Sequence, residues 1–288
     1  MYIALIFLAA LMSTVQFLLN SKYQQNEGTS IIKSLKFSFV MSFYQVVLTF
    51  IVSKGEIEFS AFSLLMSTID AALAIVFYYM SINALANTNL TVYSLFSMLG
   101  KMLPPSLFSI AFLGEDLTWQ KAVCMALVVI SLVIGNPKGK TVDKRNKAWI
   151  YYIAVFILSG FVGICEKFHQ TSEKAVDTNS FVLLVGAVMF ITSGVILLIY
   201  KLRGESLKFV SPINSLSCIS VYAVICTVSS LVLLYAMIHV DASLQFPLLT
   251  GGTIVFSVIM DFVTGKKPKI NSIIGASIAL AGLVILAL

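Results

Sequence analysis

Apolar segments of about twenty residues recur along the whole chain, and that recurrence decides what it can fold into. A helix needs roughly 20 residues to cross the hydrocarbon core of a bilayer. Ten helices are predicted, over 2–20, 33–53, 61–82, 89–112, 118–135, 148–168, 179–200, 214–236, 243–264 and 270–288. Strands of about ten alternating residues, the mark of a transmembrane barrel, are absent. The expected fold is therefore all-α and embedded in a membrane. Of the 288 residues, 59% are hydrophobic and only 11% charged, against about 25% charged in a soluble domain. The first segment, "MYIALIFLAALMSTVQFLLN", lacks a basic start and a small-residue cleavage site, so it reads as a retained span and not a signal peptide.

The net charge of +6 is a topology signal here, with no nucleic-acid partner implied. Basic residues concentrate on the cytoplasmic side of membrane helices. Of the 19 Lys and Arg, 14 fall in the connections after helices 1, 3, 5, 7 and 9. Four, Lys54, Lys121, Lys167 and Lys174, fall on the opposite side, and Lys101 lies inside a span. The bias puts the first set in the cytoplasm and both termini outside, in the plasma (inner) membrane. The four cysteines sit in apolar segments without metal-ligand spacing, and small buried hydrophobes is their simplest reading. No cofactor or metal is implied.

The chain resembles itself at an offset of 150–151 residues. "YIALIFLAAL" from Tyr2 is echoed by "YIAVFILSGF" from Tyr152, with Gln16 falling on Glu166. Gly100, Ser106, Gly114 and Leu132 fall on Gly251, Ser257, Gly265 and Leu283. This divides the chain into 1–137 and 138–288, with "NPKGKTVDKRNK" as a solvated linker. Five spans per half is an odd number, so the second half runs opposite to the first across the membrane. Inverted repeats of this kind are a common plan for secondary transporters, with the substrate near the midplane.

The stretch "ALAIVFYYMSINALANTNLTVYSLFSMLGKMLPPSLFSIAFLGEDLTWQKAVCMALVVISLVIG" resembles the helix 3–4–5 region of the drug/metabolite transporter superfamily, in its ten-helix form with paired EamA-type repeats. It has a small-residue helix ending in aromatics, a proline-bearing fourth helix and an "LGE" turn at Glu115. "LLYAMIHVDASLQFPLLTGGTIVFSVIMDFVTGKKPK" repeats the arrangement, with Lys266 in place of the turn glutamate. The resemblance implies a carrier of small organic molecules and leaves the substrate open.

Lys101 is the first candidate for function, because an ionisable group at membrane mid-depth is rare and faces protein or a wet cavity. Asp70 and Lys101 lie 16 and 15 residues either side of the corner near residue 86, about 23 Å away along each helix. They are expected to pair or to line one cavity. Pro104 and Pro105 leave the carbonyls of Gly100 and Lys101 without helical partners. Pro247 and the Gly251–Gly252 pair occupy the matching helix, so a break or bend is expected in both. Gln16 and Glu166 are repeat-related, with Asn20 and His169 one turn further. Glu166 and Asp70 are the candidates to carry a coupling proton, and Asp261 near the end of helix 9 is a weaker one. Tyr78, Tyr79, Tyr93 and Gln245 are expected to line the cavity, as Tyr222 and Tyr235 could from helix 8. Gly275 and Ala279 form a small-residue step for close packing within the monomer or for a homodimer.

These features favour a secondary-active transporter for a small anionic or zwitterionic metabolite, proton-coupled or exchanging. Multidrug or amine efflux is the alternative, with an acid in place of Lys101 as the key charge. An enzyme is disfavoured, since the two histidines, His169 and His239, are far apart and no G-x-S-x-G turn is present. A channel or a non-transporting receptor is the remaining class.

Overall fold

A computed structural model describes residues 2–87, 90–135, 148–263 and 270–287. Those residues form ten helices: α1 (Tyr2–Glu27), α2 (Ile31–Val52), α3 (Ala61–Asn87), α4 (Leu90–Phe112), α5 (Trp119–Gly135), α6 (Ala148–Gln170), α7 (Thr178–Leu202), α8 (Pro212–His239), α9 (Ala242–Val263) and α10 (Ile270–Ala287). Eight of them, α1–α4 and α6–α9, are long and apolar enough to cross a membrane, while α5 and α10 are shorter. Many large apolar side chains lie on the outer surface, Phe50, Leu65, Ile191 and Leu198 among them. In water such a surface would be an aggregation hazard; facing lipid it is what a multi-pass helical protein needs.

Local chemistry sets the helix ends. Gly28 closes α1 with φ +79°, a left-handed conformation that glycine adopts without a Cβ clash. The Ser30 Oγ caps α2 by accepting from the Lys33 N–H at 3.2 Å, and Asp177 caps α7 by accepting from the Asn179 N–H at 3.0 Å. Pro212 opens α8, where its missing N–H costs no helical bond. Three helices outrun their expected bounds most, α3 among them, which continues from 82 to Asn87. α1 runs seven residues past Asn20 because its polar final turn is buried, with Asn20, Tyr23 and Glu27 all covered. α8 likewise extends at both ends, to Pro212 and His239.

α2 packs along α7 and α5 along α10, while α4 and α3 lie against α6, and α9 and α8 against α1. Small residues bring these backbones together. A Cβ on Gly275 would sit 2.7 Å from the Gly135 Cα, so α5 and α10 touch backbone to backbone, and the Ser272 Oγ donates to the Gly135 carbonyl at 3.2 Å. The Gly275 step thus packs within the monomer. A Cβ on Gly252 would lie 3.0 Å from the Ala10 Cβ and 3.1 Å from Phe7, which seats α9 on α1; one on Gly251 would lie 2.9 Å from Leu283 of α10.

The proline-bearing helices are not interrupted. α4 stays helical through Pro104 and Pro105, and α9 through Pro247. The reason is packing. The Pro104 ring fills the groove over Gly160 of α6, where an added Cβ would lie 2.6 Å from its Cγ and 3.1 Å from the Gly100 carbonyl oxygen. That is the carbonyl Pro104 leaves without a helical partner, and Gly160 lets α6 lie close against it. Pro105 packs likewise over Gly163. Pro104, Pro105, Gly251 and Gly252 are therefore at close helix contacts, and of the expected break or bend no break is present in α4 or, at Pro247, in α9. Lys266, the 136–147 linker with the 137/138 boundary, and the Asp261 side chain lie outside the described residues.

Candidate functional site

A cavity of about 170 Å³ lies inside the bundle. The eight long helices all contribute to its wall, and α5 and α10 do not. Its lining is mostly apolar or aromatic, with Phe77, Phe181 and Phe246 among the residues. Among these stand Lys101 from α4, Asp70 from α3, Glu166 from α6 and Gln16 from α1. Tyr78 and Tyr222 form one boundary of the cavity.

The sequence expectation that Asp70 and Lys101 would pair or share a cavity resolves to the second. No ion pair joins them among the described residues; both line the same space. Asp70 is 4% exposed and its Oδ1 has no hydrogen-bond partner. Lys101 and Glu166 take part in none of the hydrogen bonds or ion pairs within the described protein. They are close enough to interact electrostatically, and Asp70 also feels Glu166. Three ionisable groups thus face one cavity without a hydrogen bond or ion pair among the described residues. Buried charge left unpaired is costly, so the arrangement asks for a ligand, a proton or water.

Gln16 and Tyr78 also line the cavity, as expected. Four candidate residues do not. Tyr79 is half-buried on another face of α3. Tyr93 is buried in a small cluster with Ala84, Leu85, Tyr152 and Val155, where Asn20 Nδ2 donates to its hydroxyl at 3.3 Å and Phe17 meets its ring edge-on. Gln245 is fully buried, is not among the lining residues, and donates to the Leu233 carbonyl at 2.9 Å. Tyr235, 43% exposed, packs on Tyr2 and His239 at the periphery. Each of the four sits on a helix that lines the cavity but outside its lining, because depth follows from sequence spacing and rotation follows from packing.

Several wall residues went unremarked in the sequence. Gln45 of α2 is 7% exposed, lines the cavity and donates to the Val182 carbonyl at 2.9 Å. A lone glutamine inside an apolar span was the available signal. Ser229, Ser230 and Cys226 line the α8 side; serine and cysteine are too common in spans to single out.

Two buried ionic clusters flank the bundle. At one end, Glu115, in the α4–α5 connection, accepts from the backbone N–H groups of Ala242 at 2.8 Å and Ser243 at 2.9 Å, and pairs with Lys167 at 3.2 Å. It thereby caps α9, whose first amides have no helical acceptors. Burial works to raise the Glu115 pKa. The hydrogen bonds from Ser243 and Ala242, with Lys167 beside them, outweigh it and hold the carboxyl below its ordinary range. Asp241 pairs with Lys121 at 2.7 Å nearby. The turn glutamate is thus a clamp between α4, α6 and α9. At the other end, Glu27 joins α1 to α8, and Lys36 is its cation at 3.4 Å.

No family model matches the sequence, and no curated protein matches it. The fold itself is shared with solved structures, of which 29 chains match. One, described only as "Crystal structure of protein", superposes with a TM-score of 0.69 at 14% identity, covering 97% of this chain and 98% of its own. At that identity the likeness concerns the fold alone.

Proposed function

We propose that this chain is a secondary-active transporter of the drug/metabolite superfamily, moving a small anionic or zwitterionic metabolite across the plasma membrane by alternating access. The observation that carries the reading is the cavity walled by all eight long helices, into which Lys101, Asp70 and Glu166 bring ionisable groups that make no hydrogen bond or ion pair within the described protein. Its volume of about 170 Å³ is below the roughly 300–1,000 Å³ of sites for drug-sized ligands, which favours a small molecule. Lys101 receives the anionic group. Asp70 and Glu166 receive an ammonium group or the coupling proton. Gln16 and Tyr78 supply polar contacts that orient the molecule. No covalent chemistry is involved.

The ten helices are read as ten crossings in two inverted halves, 1–137 and 138–288, with both termini outside. Helix packing supports this. Exchanging each helix with the one five places on converts α4–α6 into α9–α1, α3–α6 into α8–α1, and α3–α7 into α8–α2, all of which are packed pairs. The pairs α2–α7, α4–α9 and α5–α10 are their own counterparts. Two like halves of opposite orientation can rock about a central site.

The test is a thermal-shift screen of purified protein against a metabolite panel, with Lys101→Ala in parallel, since a ligand that binds the native state raises its melting temperature. A carboxylate or phosphate compound that stabilises the wild type and not the mutant supports the reading. Stabilisation by amines alone, undiminished in Lys101→Ala, would favour the second reading, amine efflux. That reading draws on one observation: the cavity holds two carboxylates against one lysine.

A further inference from the structure

The cavity is not centred along the bundle. Its α7 residues, Phe181 to Met189, begin near the start of that helix at Thr178. Its α6 residues end at Glu166, near Gln170, and its α8 residues reach Met237, near His239. All three lie toward the end that carries the α6–α7 and α8–α9 connections. Toward the opposite end the chain closes. Below Tyr78 and Tyr222 lies Phe37, with ring centroids at 5.2 and 4.9 Å. Tyr23 follows at 4.9 Å from Phe37. Phe37 and Tyr23 are fully buried, and the Tyr23 hydroxyl donates to the Lys33 carbonyl at 2.7 Å.

Beneath this aromatic plug sits Glu27. It lies eleven residues beyond Gln16 on α1, about 16 Å along the axis. One carboxylate oxygen accepts from the Ser215 Oγ at 2.7 Å, the Val210 N–H at 3.0 Å and the Ser211 N–H at 3.2 Å. The other faces the Lys36 Nζ at 3.4 Å. Lys36 also donates to the Lys208 carbonyl at 2.9 Å and stands 4.1 Å over the Phe209 ring. Ser211, the N-cap of α8, makes no side-chain cap bond of its own. A side chain from the other half of the sequence supplies the cap. The cluster therefore ties α1 and α2 to α8 beneath the aromatic plug. At the far end, α3 and α6 meet through neutral groups: Ser63 Oγ lies 2.8 Å from His169 Nε2 and accepts from the Val176 N–H at 3.1 Å. Both ends carry an ionic tie: Glu115 with Lys167 holds α6 to the start of α9 at the far end, and Glu27 with Lys36 joins α1, α2 and α8 beneath the plug.

We propose that Glu27, with Ser215 and Lys36, is the latch that holds the cavity shut at this end, and that its release separates α1–α2 from α8 and opens the cavity to that face of the membrane. The inference rests on the transporter reading, because a latch has meaning only if the cavity is exposed alternately. The latched state alone provides Glu27 with these donors, so weakening them shifts the balance toward the unlatched state.

Cys226 is the reporter, since it is the cavity-lining cysteine, whereas Cys124, Cys165 and Cys218 are buried elsewhere. Wild type, Glu27→Gln and the milder Ser215→Ala are placed in sealed vesicles of each orientation. A charged, membrane-impermeant methanethiosulfonate is added, and modification of the Cys226 peptide is followed by mass spectrometry. Exchange of the ligand found in the thermal-shift screen is measured in the same vesicles. Losing one hydrogen bond to a charged group shifts a two-state balance about tenfold. The expected result is a Cys226 modification rate about tenfold higher in Glu27→Gln from the Glu27 face, a smaller rise in Ser215→Ala, and no rise from the opposite face. If the wild type exchanges ligand and both variants are folded with wild-type labelling from the Glu27 face, the latch is overturned and the transporter reading stands. If the wild type binds and exchanges nothing, the transporter reading falls and takes the latch with it.

Discussion

Replacing Glu115 by Gln tests the clamp at the α9 N-terminus and has a definite pH signature. The carboxylate side chain is 8% exposed and Lys167 is 6% exposed. It serves both the Ala242 and the Ser243 amides and the ammonium. A glutamine oxygen can accept from one amide, so one charge-assisted hydrogen bond is lost, worth about 1.5–3 kcal/mol. Lys167 keeps only the Met237 carbonyl, at 3.3 Å, and a buried charge stripped of its partner adds to the loss. A destabilisation of about 2–4 kcal/mol is expected at neutral pH. Because the folded carboxyl titrates below its ordinary range, the wild type's advantage is complete above the unfolded pKa of about 4.3. It is lost as pH falls through the folded value. The assay is melting of wild type and Glu115→Gln in detergent from pH 7 down to pH 3. The gap should be constant from about pH 7 to 5 and close only in the acid range. Equal melting at pH 7, or a gap that widens on acidification, would refute the reasoning.

Gly160→Ala should destabilise the α4–α6 seam by about 1–3 kcal/mol, because the new Cβ would sit 2.6 Å from the rigid Pro104 ring. Gly163→Ala, at 3.0 Å from Pro105, should cost less, and melting temperatures that reverse this order would contradict the packing account. Phe37→Ala empties the centre of the aromatic plug and should cost about 3–5 kcal/mol; a change under about 1 kcal/mol would mean that the plug is not packed as described.

Where the helices lie was legible in the sequence because bilayer thickness sets their length. Their depths were legible too. Counting residues from the corner near 86 put Asp70 and Lys101 at one level, and they share a cavity. Rotation was not legible. Tyr78 faces the cavity while Tyr79, one residue on, does not, and an apolar helix in lipid has no polar face to reveal which side turns inward. Glu27 and Lys36 escaped for a related reason. At the edge of a span a charge looks solvated until a third helix, here α8, is known to cover it.

Apolar length and the near-absence of charge were enough to determine an all-helical chain with spans long enough for a membrane, since unpaired backbone cannot persist in hydrocarbon. Which charges stay unpaired was decided only by the tertiary structure. Lys167 finds Glu115 and Lys36 finds Glu27, across 52 and nine residues of sequence, while Lys101, Asp70 and Glu166 converge on a cavity with no such partner. Pairing depends on distances of a few ångströms between separate helices and on what covers them, and no local pattern of residues encodes those.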